Sequence, residues 1–318
     1  MPQDSSHPED NPREILDLRG MFTIMGCDPP VFVTYDQIED AVKHLRRAGQ
    51  EVTGVCPVPD AHTVTRTKEA MGNGQNGVWT ATTFQPPARL KPNDVFEELP
   101  INTLNRDIRL HRYCIRRLPT VLQETGASLK TMAIFVSGAY RGVNNETDGA
   151  IVRGGWAFTC KKGGLSNYSG ALEKRGPGND DPPPLRMDPT GVGRRATLRA
   201  AVAALTWQPW YREGWHRVVL VTDNGYLAQG ATEELRYWAD PGPARPPWKS
   251  GDAASQPPNR DLWWKLMELL GEYAQTGGCE VSFWQPGRNW TNPAGQAAME
   301  ACRLPWTEYY ADTKNPML

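Results

Sequence analysis

Asp223 is a carboxylate whose neighbours suggest a role. It follows Val218 to Thr222, a β-branched run of the kind that a strand buried on both faces requires, and it precedes helical spacing from Leu227 to Trp238. An Asp at such a strand exit can hold a divalent cation. It can equally cap the helix that starts at Gly225 by accepting a backbone N–H, and capping explains it without catalysis. Cys56 and His62 make half of a zinc site at most. No Gly-rich phosphate loop and no nucleophile elbow occurs. Arg106, Arg109, Arg112, Arg116 and Arg117, with His111, Tyr113 and Cys114, would form a positive stripe if Asn105 to Leu118 were helical. The competing reading is a solvated face paired with nearby acids. Among the 12 tryptophans, Trp207, Trp210 and Trp215 crowd one connection. Most are expected in the core, with any exposed ones free to stack on bases or anchor a partner.

The elements that must position these residues fall into five stretches. Residues 1–14 are expected as a disordered tail, too poor in apolar surface to order itself. In 15–60, strands at Gly20 to Met25 and Val31 to Val33, a helix through Tyr35, Ile38, Val42 and Leu45, and a returning strand from Glu51 to Cys56 make a small α+β module. Thr34 and Gln37 read as a capping box, with Gly49 just past the helix end. Residues 61–128 suit a linker or extended wrap followed by the basic segment, and 305–318 a C-terminal tail.

The main domain spans 129–304. Strands at Met132 to Val136, Gly155 to Thr159 and Ser169 to Glu173 form a meander. Helix at Ala196 to Leu205, strand at Val218 to Thr222, helices at Leu227 to Trp238 and Asp261 to Ala274, strand at Cys279 to Trp284 and helix at Pro293 to Cys302 follow. Strands first, then alternating helix and strand, predict a five-stranded mixed α/β sheet with helices on both faces.

Charge and cysteine usage bound the rest. With 35 Lys and Arg against 36 Asp and Glu, the formal net charge is -1, so any nucleic-acid contact must come from a local patch. The 6 cysteines are scattered without a C-x-x-C pair, which fits reduced thiols, and no apolar run approaches the roughly 18–20 residues of a membrane span. The polar opening is no signal peptide, so a cytoplasmic or nuclear location without membrane contact is expected, and the sequons at Asn145, Asn167 and Asn289 read as chance matches.

Several separated motifs occur in order within Ile134 to Ala301. Ser137-Gly138-Ala139 precedes Arg141-Gly142, then come Gly155-Trp156-Ala157-Phe158, Arg195-Ala196-Thr197-Leu198-Arg199-Ala200 and Val221-Thr222-Asp223-Asn224-Gly225-Tyr226. Trp248-Lys249, Asn259-Arg260-Asp261-Leu262-Trp263 and Arg288-Asn289-Trp290-Thr291-Asn292-Pro293-Ala294-Gly295 complete the set. This order resembles ribonuclease H type 1-like proteins of the sort common in filamentous fungi, within the ribonuclease H-like superfamily. The resemblance implies that fold and places four metal-holding acids at Ser137, Thr197, Asp223 and Gly295. Only Asp223 is acidic. It also implies nucleic-acid contacts at Arg141, Asn224, Trp248, Lys249 and Arg260.

Two divalent ions roughly 3.5–4 Å apart repel each other and need several carboxylates to hold them. The expectation is therefore a catalytically inactive pseudo-nuclease, without cofactor, that binds nucleic acid such as an RNA–DNA hybrid or scaffolds an unknown protein partner. The alternative is an active Mg²⁺-dependent endonuclease that cuts RNA in such hybrids through Asp223. Asp148, in Thr147-Asp148-Gly149-Ala150, also spells the family's Asp-Gly-Ala, but Gly142 to Glu146 before it reads as loop. The N-terminal module resembles the hybrid-binding module of eukaryotic ribonuclease H1. Gly26-Cys27-Asp28-Pro29-Pro30 stands where that module has basic residues, which implies that its phosphate grip is gone. A small cap packed on the main domain is the other reading.

Overall fold

A computed structural model describes residues 21–25, 31–34, 37–50, 52, 54–57, 61–72, 74, 77–86, 92–100, 111–115, 131–145, 149–161, 167–177, 189–213, 215–239, 257–287 and 290–314. The expected tail at 1–14, the Gly26 to Pro30 turn, Arg106, Arg109, Arg116, Arg117, Asp148, Trp248, Lys249, Arg288 and Asn289 lie outside them.

In the N-terminal module, β1 (Met21–Met25) pairs antiparallel with β2 (Val31–Thr34) and with β3 (Gly54–Pro57). Helix α1 (Ile38–Arg47) closes a small core at Ile24, Val33 and Leu45. Its N-cap is Gln37, without a side-chain capping bond, so the expected Thr34–Gln37 capping box is corrected. Gly49, at φ 76°, ends the helix in the left-handed conformation that glycine tolerates.

The stretch read as linker carries regular structure instead. Helix α2 (Ala61–Ala70) docks through Thr67, whose hydroxyl donates to the Gly278 carbonyl at 3.0 Å. The short strand β4 (Thr82–Thr83) and the hairpin of β5 (Phe96–Pro100) with β6 (His111–Ile115) extend the main sheet. Met71, Trp79 and Ala81 enter the main core, which a sequence poor in periodic apolar residues did not announce. The Asn105 to Leu118 stretch, which would carry a positive stripe if it were helical, is a strand where it is described. Arg112 is buried there in an ion pair with Glu213 at 2.7 Å, over the Trp210 ring.

The central strand is β7 (Thr131–Asn145), which pairs antiparallel with β8 (Gly149–Thr159), itself antiparallel to β9 (Asn167–Ala171). On its other side β7 runs parallel to β10 (Arg217–Val221), and β10 runs parallel to β11 (Glu280–Trp284). Strand order β9-β8-β7-β10-β11 thus gives the mixed sheet that the sequence predicts, and β4, β5 and β6 bring it to eight strands instead of the expected five. Strand β7 runs past Ser137 to Asn145, which corrects the loop expected from Gly142; cross-strand pairing to β8 holds that stretch extended.

Alternation along the strands feeds two cores. Met132, Ile134, Val136, Val218 and Leu220 pack on one face with α3 (Pro189–Thr206) and α6 (Arg260–Thr276), while Ala133, Phe135, Val219 and Val221 pack on the other with α7 (Gly295–Ala301). This two-sided burial is why the strands read as continuous apolar runs. Close helix approach needs two glycines. A Cβ on Gly138 would collide with the Thr197 amide, and one on Gly155 with the backbone of α7 at Ala298 and Cys302. Between β10 and α6, helix α4 (Gly225–Gln229) passes through a π turn at Gly230–Glu234 into α5 (Leu235–Ala239). The sequence reads this as one helix; Gly230 sits where the Trp263 ring leaves no room for a Cβ, and the Ala231 carbonyl accepts the Ala81 N–H at 3.1 Å.

Candidate functional site

Chain direction and register set the site. Val221 of β10 pairs with Phe135 of β7, so Asp223 and Ser137 leave adjacent parallel strands at the same level. Ser137 lies on the α7 face, where a Cβ on Gly295 would stand 4.0 Å from its hydroxyl oxygen. Thr197 crosses β7 on the opposite face at Gly138. The fold therefore brings Ser137, Thr197 and Gly295 around one strand end, with Asp223 on the neighbouring strand.

The side chains there satisfy one another. Asn224 donates from Nδ2 to Thr197 Oγ1 at 3.2 Å, and Thr197 donates that hydroxyl to the Gly193 carbonyl at 2.9 Å. Asn224 Oδ1 accepts the Tyr226 N–H at 3.0 Å, so Asn224 and not Asp223 caps helix α4. The capping reading of Asp223 is corrected by one residue: Asn224 has the extended backbone of an N-cap, at φ -98° and ψ 106°. Asp223 is exposed, and its main-chain carbonyl takes a 3.3 Å bond from Gln285. Asn292 fixes the approach to α7 by donating to the Val136 carbonyl at 2.8 Å and accepting the Ala294 N–H at 3.0 Å.

These residues do not fit a pair of magnesium ions. Thr197 already uses its hydroxyl as donor and acceptor, Ser137 is neutral and nearly buried, Gly295 has no side chain, and one carboxylate cannot offset four positive charges. Among the described residues no group of three or more His, Cys, Asp or Glu is placed to hold a metal ion.

The arginines of the helix motif have structural partners. Arg195 makes a two-pronged pair with Asp261, at 2.8 and 2.6 Å, which ties the Arg-Ala-Thr-Leu-Arg-Ala helix to the Asn-Arg-Asp-Leu-Trp helix. Arg199, 1% exposed, pairs with Glu173 at 2.8 Å, lies between the Trp156 and Tyr310 rings, and donates to the Ala311 carbonyl at 2.8 Å. That bond packs 305–314 of the expected tail onto the domain. Such two-pronged, desolvated guanidinium pairs are specific because their geometry is planar and fixed.

The meander, the parallel strands and the helices on both faces now decide the architecture. The fold is ribonuclease H-like. No family model matches the chain, and no curated protein does. Solved structures do match. Native prototype foamy virus protease–reverse transcriptase shares 17% identity at a TM-score of 0.33, over 54% of this chain and 21% of that one. LC9-RNase H1, a type 1 RNase H with the type 2 active-site motif, shares 20% at 0.32, over 55% of this chain and 72% of that one. The foamy virus RNase H domain in solution shares 15% at 0.30, over 54% and 88%. The chain thus spans only a fraction of the viral protease–reverse transcriptase.

Around this strand end, the expected nucleic-acid contacts divide. Asn224 belongs to the hydrogen-bonded lock, and Arg260 is half-buried at the first turn of α6. Arg141 is exposed on the α7 side of β7. Sequence reasoning missed three residues. Tyr140, 46% exposed, lies beside Gly193; Arg194 stands 5.0 Å from the Tyr226 ring centroid; and Arg153 pairs in register with Arg141. Only the register of β7 on β8 could have revealed the last.

Proposed function

We propose that this chain is a ribonuclease H-like module that binds nucleic acid without hydrolysing it. The observation that carries the reading is the neutral lock of Asn224, Thr197 and the Gly193 carbonyl, at the place where the resemblance puts a metal-holding acid. A neutral, hydrogen-bonded lock holds helix α3 to the strand exit without a cation, whereas crowded carboxylates would need one. The exposed Tyr140 and the Arg194–Tyr226 stack offer ring faces and fixed charge of the kind that single bases and phosphates use. The motif order supports the finer proposal of kinship with fungal ribonuclease H type 1-like proteins, and the small N-terminal sheet supports descent from a hybrid-binding module.

The test is incubation of the purified chain with a labelled RNA–DNA hybrid in Mg²⁺ and in Mn²⁺, with binding followed in parallel. Binding without cleavage is expected. Cleavage that disappears in Asp223→Asn would refute the loss of hydrolysis, and absence of binding in low salt would refute the nucleic-acid role.

A further inference from the structure

We propose that the outer part of the β7–β8 hairpin is an arm that grips a phosphodiester backbone between Arg141 and Arg153. This rests on the nucleic-acid reading above and names the part of the chain that holds the polymer. Parallel pairing of β10 with β7 ends at Val221 with Phe135, and pairing of β9 with β8 ends at Ala171 with Gly155. Strands β7 and β8 nevertheless stay in register out to Asn145 and Gly149. The Gly154 carbonyl still accepts the Leu172 N–H at 2.9 Å and Val152 packs on Leu172 and Val192, so the edge of β8 is held there on one face; the two strands otherwise form a two-stranded ribbon that leaves the sheet next to the site.

On that ribbon Arg141 stands directly opposite Arg153. Residues so paired have Cβ atoms about 4.5–5.5 Å apart, and like charges there repel. No ion pair with a carboxylate relieves either guanidinium among the described residues; Arg141 is exposed and Arg153 half-buried. Arg112, Arg195, Arg199 and Arg217, in contrast, each have an acid within hydrogen-bonding distance. Two adjacent forks without an acid partner among the described residues match the anionic oxygens of a phosphate, which would remove the repulsion on binding. The planar forks suit the several oxygens of a phosphodiester, and the choice of a nucleic acid over an acidic peptide rests on the proposed function; the exposed Tyr140 ring next along β7 lies on the opposite face, beside Gly193, outside the grip.

Fluorescence anisotropy of a labelled RNA–DNA hybrid across a KCl series, with the wild-type chain, Arg141→Ala/Arg153→Ala and Arg153→Glu, tests the arm. The double variant should bind about tenfold or more weakly at low salt. Its slope of log affinity against log salt should fall by about 0.7–0.9 for each phosphate that the arm no longer neutralises. Arg153→Glu should bind at least as poorly while melting at a higher temperature than wild type, since it turns a repulsive cross-strand pair into an attractive one. Wild-type affinity and slope in both variants would overturn the arm and leave the nucleic-acid reading standing. A wild-type chain that binds no hybrid would remove both. Lower melting of Arg153→Glu would contradict the repulsive pair, and displacement of the hybrid by polyglutamate as readily as by polyphosphate would assign the arm to an acidic protein.

Discussion

The Asn224 amide donates to the Thr197 hydroxyl at 3.2 Å, and the same asparagine caps helix α4 through its oxygen. One side chain thus joins two helices at the strand exit beside Asp223. Asn224→Ala should lower stability by about 1–2 kcal/mol, through removal of the cap and of the bond that Thr197 accepts. Asp223→Asn should stay within about 0.5 kcal/mol, as exposed substitutions do. Urea unfolding of the two variants checks this; the reverse ranking would return the cap to Asp223.

Arg199 is enclosed by Glu173, Trp156 and Tyr310. Arg199→Met leaves the Glu173 carboxylate buried without its partner, and a loss of about 3–5 kcal/mol is expected. The double variant Arg199→Met/Glu173→Leu should recover much of that loss, because a buried pair replaced as a whole by apolar groups is often tolerated. Limited proteolysis offers a second readout, with faster cleavage within 305–314 expected in the single variant.

Gly138 and Gly142 sit on the same strand with opposite surroundings. A Cβ at Gly138 meets the backbone of α3 at Thr197, whereas one at Gly142 meets nothing within 4 Å. Gly138→Ala should cost about 1–3 kcal/mol or more through overpacking, and Gly142→Ala should be nearly silent. Thermal melts of the two variants separate them.

Burial pushes the Cys160 thiol up from its ordinary value near 9 to about 11, with Arg112 opposing the rise and Glu213 adding to it. The folded state therefore holds this proton more tightly than the unfolded chain. The resulting stability is complete below about pH 9 and is lost as pH rises through about 11. Unfolding free energy should fall over that window, by roughly 2–3 kcal/mol for two pH units, and Cys160→Ala should flatten the fall. Thiol-reactive dye should label Cys160 slowly in the native protein at neutral pH.

The strand runs of the main domain were legible because β7, β10 and β11 are buried on both faces and carry few polar residues. The regular structure described between 61 and 115 was not, because Thr67, Trp79 and Arg112 are held by long-range contacts that leave no period in the sequence. The four site positions were legible only through ordered motifs. The Asn224–Thr197 bond and the Arg141–Arg153 pairing depend on register between distant segments, which composition and spacing do not encode.

The proposal that Ser137, Thr197, Asp223 and Gly295 hold no magnesium pair is tested most directly by melting the wild-type chain and the triple variant Ser137→Asp/Thr197→Glu/Gly295→Asp over a Mg²⁺ series. The wild-type melting temperature should ignore Mg²⁺. The triple variant should rise with it, by about 2.7 kcal/mol of stabilisation at a hundredfold excess over its dissociation constant. A wild-type chain stabilised by Mg²⁺ through Asp223, or a triple variant indifferent to the ion, would contradict the account.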